Sequence, residues 1–214
     1  MPEGPEVRKY ADALDAVLSG RAIKSLTVRT REARAWLKEN ETRLRGRDVL
    51  RVRSHGKHLL GYIDGGFYFH SHLMMWGRWQ ALKGRSPAEV DRRERARIVV
   101  SRGAAILFSA PIFNAGEGDP YKQIENLASL GPDVLPYPRG KGGRRAFNKA
   151  EFRRRLLLPA HLGITIGATL LNQQIVAGLG NYLRAEVLFS CRLNPWTTVG
   201  GRVSGDGCQV TGVR

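Results

Sequence analysis

Leu59-Leu60-Gly61-Tyr62-Ile63-Asp64-Gly65-Gly66-Phe67-Tyr68-Phe69-His70 reads as two short strands rich in β-branched and aromatic side chains, joined by a Gly-Gly turn. Similar segments stand on either side of it. Ala22–Val28 and Val49–Arg53 precede it, and Ile98–Ser101 with Ala104–Phe108, turning at Arg102-Gly103, follow. So many short strands within about a hundred residues predict an antiparallel β-sandwich.

Upstream of the strands, Val7, Tyr10, Ala11, Leu14, Val17 and Leu18 recur at helical spacing and Gly20 is a natural stop. Downstream, residues 132–145 read Pro-Asp-Val-Leu-Pro-Tyr-Pro-Arg-Gly-Lys-Gly-Gly-Arg-Arg, a basic Pro/Gly-rich linker that marks a domain boundary. Beyond it the pattern is helical. Asn148 and Glu151 can cap Phe152–Leu158, Ile166–Val176 makes a second helix, and Tyr182–Phe189 a third. Ala177-Gly178-Leu179-Gly180-Asn181 joins the last two in a tight turn. Its glycines either expose amides at a helix N-terminus, a ready phosphate site, or form the Gly C-cap of an ordinary helical hairpin.

The fold class expected is therefore α+β. An N-terminal antiparallel sandwich with its leading helix spans 1–135, a linker 136–146, an all-α unit 147–196, and an irregular tail 197–214. That tail has neither helical period nor metal spacing and is expected to be disordered. The formal net charge of +16 points to a polyanionic partner, most often nucleic acid. There is no apolar run of membrane-spanning length, and the N-terminus is acidic and then amphipathic, so no signal peptide and a cytoplasmic location are expected. Cys191 and Cys208 are the only cysteines, too few for a disulfide scaffold or a zinc site.

The first six residues, Met1-Pro2-Glu3-Gly4-Pro5-Glu6, carry candidate chemistry. Removal of Met1 leaves a proline whose ring nitrogen is a secondary amine. With an α-amino pKa of ~8 against ~10.4 for lysine, roughly a tenth of it is unprotonated at pH 7. Its attack on an aldehyde-level carbon gives an iminium ion, an electron sink suited to cleavage at a sugar carbon. Glu3 and Glu6 put carboxyls beside the amine, and one of them can shuttle protons. The plainer reading is a helix start with acidic residues at its positive end.

Five segments in order then resemble one family: the opening hexapeptide, Gly56-Lys57, His70-Ser71-His72-Leu73-Met74-Met75-Trp76-Gly77, Leu130-Gly131-Pro132-Asp133-Val134-Leu135, and the run from Gly178 to Phe189. Together they closely resemble the formamidopyrimidine-DNA glycosylase and endonuclease VIII family of bifunctional DNA repair enzymes. Gly4 and Gly178-Leu-Gly-Asn-Tyr-Leu-Arg184 look more like the endonuclease VIII branch. The resemblance implies a sandwich and a helix-two-turn-helix domain with damaged double-stranded DNA in the cleft between them.

By this likeness Pro2 is the Schiff-base nucleophile at deoxyribose C1′, Glu3 the acid/base, Glu6 a supporting acid, and Lys57 the lysine of the phosphate and elimination step. Asn181 resembles the residue that holds a phosphate beside the lesion. Met74, Met75 and Trp76 fall where the family carries residues that fill the hole left by a flipped nucleotide. Buried core is the competing reading for this run, though alternate residues of a strand face opposite sides. Ser129 stands where the endonuclease VIII pattern commonly has an arginine, so one phosphate contact is lost or moved to a neighbouring arginine. The family also continues into a four-cysteine zinc ribbon, a structural zinc that the two cysteines of this chain cannot bind, and no cofactor is expected for the chemical step. The activity implied is excision of oxidised bases, pyrimidines favoured, followed by strand cleavage, by a monomer. The alternatives are a catalytically weak DNA-binding remnant of the family and, less in keeping with Pro2, a ribosomal-type RNA binder.

Overall fold

The computed structural model of the chain describes residues 1–84, 89–138 and 146–200. Helix α1 (Gly4–Leu18) begins where Glu6 reaches back one turn, its Oε2 accepting the Glu3 N–H at 2.9 Å, and Pro5 sits in the first turn where no N–H is needed. Val7, Ala11, Leu14 and Leu18 are completely buried along one face, as their spacing predicts.

Eight strands follow: β1 (Arg21–Val28), β2 (Asp48–His55), β3 (His58–Ile63), β4 (Phe67–His72), β5 (Arg78–Lys83), β6 (Glu94–Val100), β7 (Gly103–Phe108) and β8 (Ile112–Glu117). They pair antiparallel in the order β5-β7-β6-β1-β2-β3-β4-β8. The sheet folds over at β1. Arg21 and Ala22 pair with β2, whereas from Ile23 onward the strand pairs with β6. This divides the sheet into two layers that meet face to face, with the Trp79 ring of β5 6.2 Å from both Phe69 of β4 and Phe113 of β8. The α+β sandwich expected from the strand pattern is present.

The β3–β4 hairpin turns at Asp64-Gly65-Gly66 with both glycines at φ of +80° and +81°, which a side chain rarely tolerates. Four elements go beyond the sequence expectation. Helix α2 (Arg31–Leu44) buries only Ala33, Leu37 and Leu44 among charged neighbours, so its apolar period is faint. Strands β5 and β8 are the edge strands of the sheet and carry mixed polar residues for the same reason. After β8 a single turn of helix, α3 (Pro120–Gln123), starts at Asp119, whose side chain accepts the Tyr121 N–H at 3.0 Å.

In the second unit, α4 (Lys149–Leu156) starts as expected, Asn148 Oδ1 accepting the Glu151 N–H at 3.1 Å. It ends before Leu158 because Pro159 follows and opens a 3₁₀ turn, Pro159–His161. The helix expected over Ile166–Val176 is corrected more strongly, since α5 is only Ile166–Thr169. The side chains of Asn172 and Gln173 compete with helical bonding. Asn172 Oδ1 accepts the Gln174 N–H at 2.9 Å, and Gln173 binds Leu171 O, Leu179 O and the Gly178 N–H. Two successive turns result, and α6 (Asn181–Ser190) then runs over the expected third helix.

The expectation of an irregular tail from Thr197 also needs correction at its start. Thr198 bridges Thr165, Val199 exchanges main-chain bonds with Ile164 and Gly163, and its side chain is buried. Residues 201–214, like 139–145 of the basic linker, lie outside the described residues. At the start of the linker, the Tyr137 ring packs against the guanidinium groups of Arg8, 3.4 Å from its centroid, and Arg53, 4.8 Å. Its hydroxyl accepts the Ser54 N–H at 3.2 Å. Just upstream, Asp133 bridges Ala177 and Val134 packs among Leu170, Val176 and Leu179, so the connecting segment joins the two units before it leaves them. Among the described residues, no helix is long and apolar enough to cross a membrane.

Candidate active site

The N-terminal turn meets the second unit at Gly178–Leu183. Gly4 N–H donates to Gly178 O at 2.8 Å, and the Glu3 side chain crosses to the start of α6. Its carboxylate accepts the N–H groups of Gly180 (2.8 Å), Tyr182 (3.0 Å) and Leu183 (3.2 Å), and the residue is only 3% exposed. An acidic side chain at a helix N-terminus is favoured both by the unpaired amides and by the helix dipole. The amides that the Gly-Leu-Gly turn offers are therefore occupied by Glu3 from the same chain. Of the two readings of this turn, the one in which its amides stand free for a phosphate does not hold at residues 180, 182 and 183.

The turn needs its glycines for two reasons. Gly178 has φ of +105°, and a Cβ there would meet Val134 at 2.8 Å. Gly180 is extended, φ −129°, a conformation open to any residue. Its reason is proximity, since a Cβ would stand 2.3 Å from the Glu3 carboxyl.

Lys57 arrives from the β2–β3 turn. Gly56 N–H donates to Asp133 Oδ2 at 3.0 Å, so the Leu-Gly-Pro-Asp motif, itself bridged to Ala177, holds this turn. Lys57 is buried, 8% exposed, and burial lowers its pKa from the ordinary lysine value while nearby Glu3 partly restores it. Pro2 is half-buried beside Glu3, and Met1 ahead of it is exposed. Pro2, Glu3 and Lys57, separated by half a hundred positions in the chain, thus gather at one junction. Among the described residues, no group of three or more His, Cys, Asp or Glu stands so as to hold a metal ion, and Cys208 lies outside them.

The model of the formamidopyrimidine-DNA glycosylase N-terminal domain matches residues 1–111. Over 193 residues the chain is 32% identical to the Endonuclease 8 of Salmonella schwarzengrund (strain CVM19633), covering 90% of this chain and 69% of that one. The Endonuclease 8 of Salmonella newport (strain SL254) matches to the same extent. The chain belongs to the formamidopyrimidine-DNA glycosylase and endonuclease VIII family.

Two solved structures of the Lactococcus lactis Fpg share the fold, each with a TM-score of 0.73. One is a complex with abasic-site DNA, 22% identical over 94% of this chain and 71% of that one. The other holds a THF-DNA and an inhibitor, 21% identical over 95% and 73%.

Met74, Met75 and Trp76 lie in a turn between β4 and β5 and not on a strand. They are 41%, 61% and 78% exposed, which removes the core reading for all three. Met74 has φ of +52°, an unfavourable conformation for a non-glycine residue, and donates its N–H to His72 Nδ1 at 3.2 Å. Sequence reasoning does not single out His72 for this contact.

Ser129 lies half-buried in the wall of a cavity of about 750 Å³ that also includes Met74, His58, His70 and Gln173. Its Oγ donates to Asn126 O at 3.1 Å. The neighbouring arginine is Arg155, whose Nη1 donates to Ser129 O at 2.8 Å while its Nε pairs with Glu151 at 2.6 Å. Asn181 is exposed at the first position of α6.

Three histidines cluster in the wall of the same cavity as Met74. His58 Nδ1 and His70 Nε2 share a hydrogen bond of 2.9 Å, and the His72 ring stands edge-on to His58 with centroids 4.8 Å apart. Burial, then the neighbouring imidazoles, push His58 down to about 3, and burial with His72 pushes His70 to about 4. Both rings are neutral at pH 7.

Proposed function

We propose that the chain is a bifunctional DNA glycosylase and abasic-site lyase that excises oxidised bases, pyrimidines favoured, from duplex DNA. The observation that carries this is the junction of Pro2, Glu3 and Lys57 at the meeting of the two units, in a chain of this family. After loss of Met1 the Pro2 nitrogen attacks deoxyribose C1′, a bond forming there as the bond to the damaged base breaks. Glu3 supplies the proton that opens the sugar at O4′, leaving an iminium between Pro2 and C1′. Loss of a C2′ proton then feeds electrons into that iminium and expels the 3′ phosphate, which cuts the strand.

In this reading Lys57 pairs with a phosphate beside the lesion and serves the elimination, Glu6 supports the N-terminal turn, and Asn181 holds a flanking phosphate. Met74, Met75 and Trp76 enter the stack where the nucleotide leaves it. Their exposure on a preformed turn supports that use, because a wedge must be presented before DNA arrives.

Borohydride added to the chain with an abasic duplex is expected to trap a covalent adduct, located by mass spectrometry on a peptide beginning at Pro2. No adduct, or an adduct on an internal lysine, sinks the nucleophile assignment. Affinity for duplex should also fall steeply with salt, given the net charge of +16. With about five phosphates neutralised, log K is expected to fall with log salt at a slope of roughly −4 to −5, measured by fluorescence anisotropy. A slope near zero removes the electrostatic argument.

A further inference from the structure

Tyr182 touches both acidic residues of the N-terminal turn. Its N–H donates to Glu3 Oε1 at 3.0 Å, and its hydroxyl donates to Glu6 Oε1 at 3.1 Å. The other oxygen of Glu6 accepts the Glu3 N–H at 2.9 Å. That N–H belongs to the Pro2–Glu3 peptide bond, so Glu6 grips the plane from which the pyrrolidine ring projects. Glu6 alone can turn toward solvent about three rotatable bonds. A donor on its second oxygen restricts it to one orientation. Burial raises the pKa of the Tyr182 hydroxyl, with Glu6 adding to the effect, so the group remains a donor throughout the neutral range.

We propose that Tyr182 is a positioning residue for the N-terminal amine, acting through Glu6 on the Pro2–Glu3 peptide. The inference rests on the glycosylase reading above and adds to it a specific consequence. Because Tyr182 stands in the first turn of α6, the orientation of the nucleophile depends on how the second unit sits against the first. A main-chain bond to Glu3 and a side-chain bond to Glu6 from one residue make that dependence direct. A rigid nucleophile gains rate by starting near its attack geometry, and a small misplacement is costly.

The test is Tyr182→Phe, which deletes only the hydroxyl of a half-exposed ring. Single-turnover trapping on an abasic duplex is expected to slow about 10-fold, with the Kd for a tetrahydrofuran-containing duplex within about 2-fold of the parent. On a Glu6→Ala background, adding Tyr182→Phe should change the rate by less than about 2-fold, because the two residues act as one unit. Without DNA, exchange of the Glu3 amide hydrogen should quicken about 5-fold or more in Tyr182→Phe while the melting temperature is unchanged. Unchanged amide exchange overturns the positioning role, as does a rate equal to the parent's. A loss confined to Kd, or full additivity with Glu6→Ala, also overturns it, by placing the hydroxyl on DNA or on another group. If the parent traps no adduct yet the amide exchange responds as expected, the contact network stands and the glycosylase reading fails.

Discussion

In Gly180→Ala, trapping on an abasic duplex is expected to fall by about two to three orders of magnitude while the chain keeps its fold, the scale for displacing a group that moves the proton. The new methyl would stand 2.3 Å from the Glu3 carboxyl, closer than any real contact. Nothing in the backbone resists the substitution, since Gly180 is extended at φ −129°. The obstruction is the far end of a flexible side chain, so Glu3 yields and leaves the amides of Gly180, Tyr182 and Leu183. Each bond to a charged acceptor contributes roughly 1.5–3 kcal/mol, and solvent near the cleft replaces part of that loss. Stability should therefore drop by a few kcal/mol at most, visible as a lower melting temperature with an unchanged far-ultraviolet spectrum. Glu3→Gln is the companion measurement, because it leaves the space intact and removes the charge. Parent-like trapping by Gly180→Ala would show that the carboxyl position at the start of α6 is irrelevant to the chemistry.

Between pH 7 and pH 5 the folded chain is expected to lose about 3–4 kcal/mol through His58 and His70 alone. The folded values, about 3 and about 4, lie below the ordinary 6.5 because burial disfavours the imidazolium and neighbouring rings add repulsion. Below pH 6.5 the unfolded chain takes up protons that the folded chain refuses, so the unfolded state is stabilised by about 1.4 kcal/mol per pH unit per ring. The loss accumulates down to the folded values and levels off beneath them. Urea midpoints at pH 7, 6 and 5 measure it. His58→Gln keeps a hydrogen-bonding partner for His70 but no titration, and should roughly halve the slope. A midpoint that is flat from pH 7 to pH 5 would contradict neutral burial of the pair.

Much of the fold was legible because its signals are local. Leu59–Ile63 and Phe67–His70 announce a hairpin through β-branched and aromatic residues on either side of two glycines, and β3 and β4 pair just there. The first helix declares itself through Val7, Ala11, Leu14 and Leu18. Helix α2 and the edge strands β5 and β8 were hidden, because elements that bury few side chains carry little apolar period. The helix expected through Val176 failed for a different reason. Asn172 and Gln173 are acceptable helix residues by propensity, and only their partners at Gln174, Gly178 and Leu179 turn them into helix breakers.

The sequence by itself determined which groups are present: a proline behind a removable methionine, two acidic residues beside it, a Gly-Lys turn, a Met-Met-Trp run and a glycine-rich approach to a helix. Residue types and short spacings decide these, since they depend on covalent chemistry and neighbours in the chain. Only the tertiary structure decided what each group faces. The glycine-rich turn reads either as a phosphate site or as a helix C-cap, and its amides are taken by Glu3 from 177 positions away. Ser129 reads as a missing arginine, and Arg155 of another element occupies its carbonyl. Tyr182 carries no local mark of importance, yet it bonds both acids of the N-terminal turn. Contacts across such separations come from packing the two units together, and no property of either segment alone encodes the distance between them.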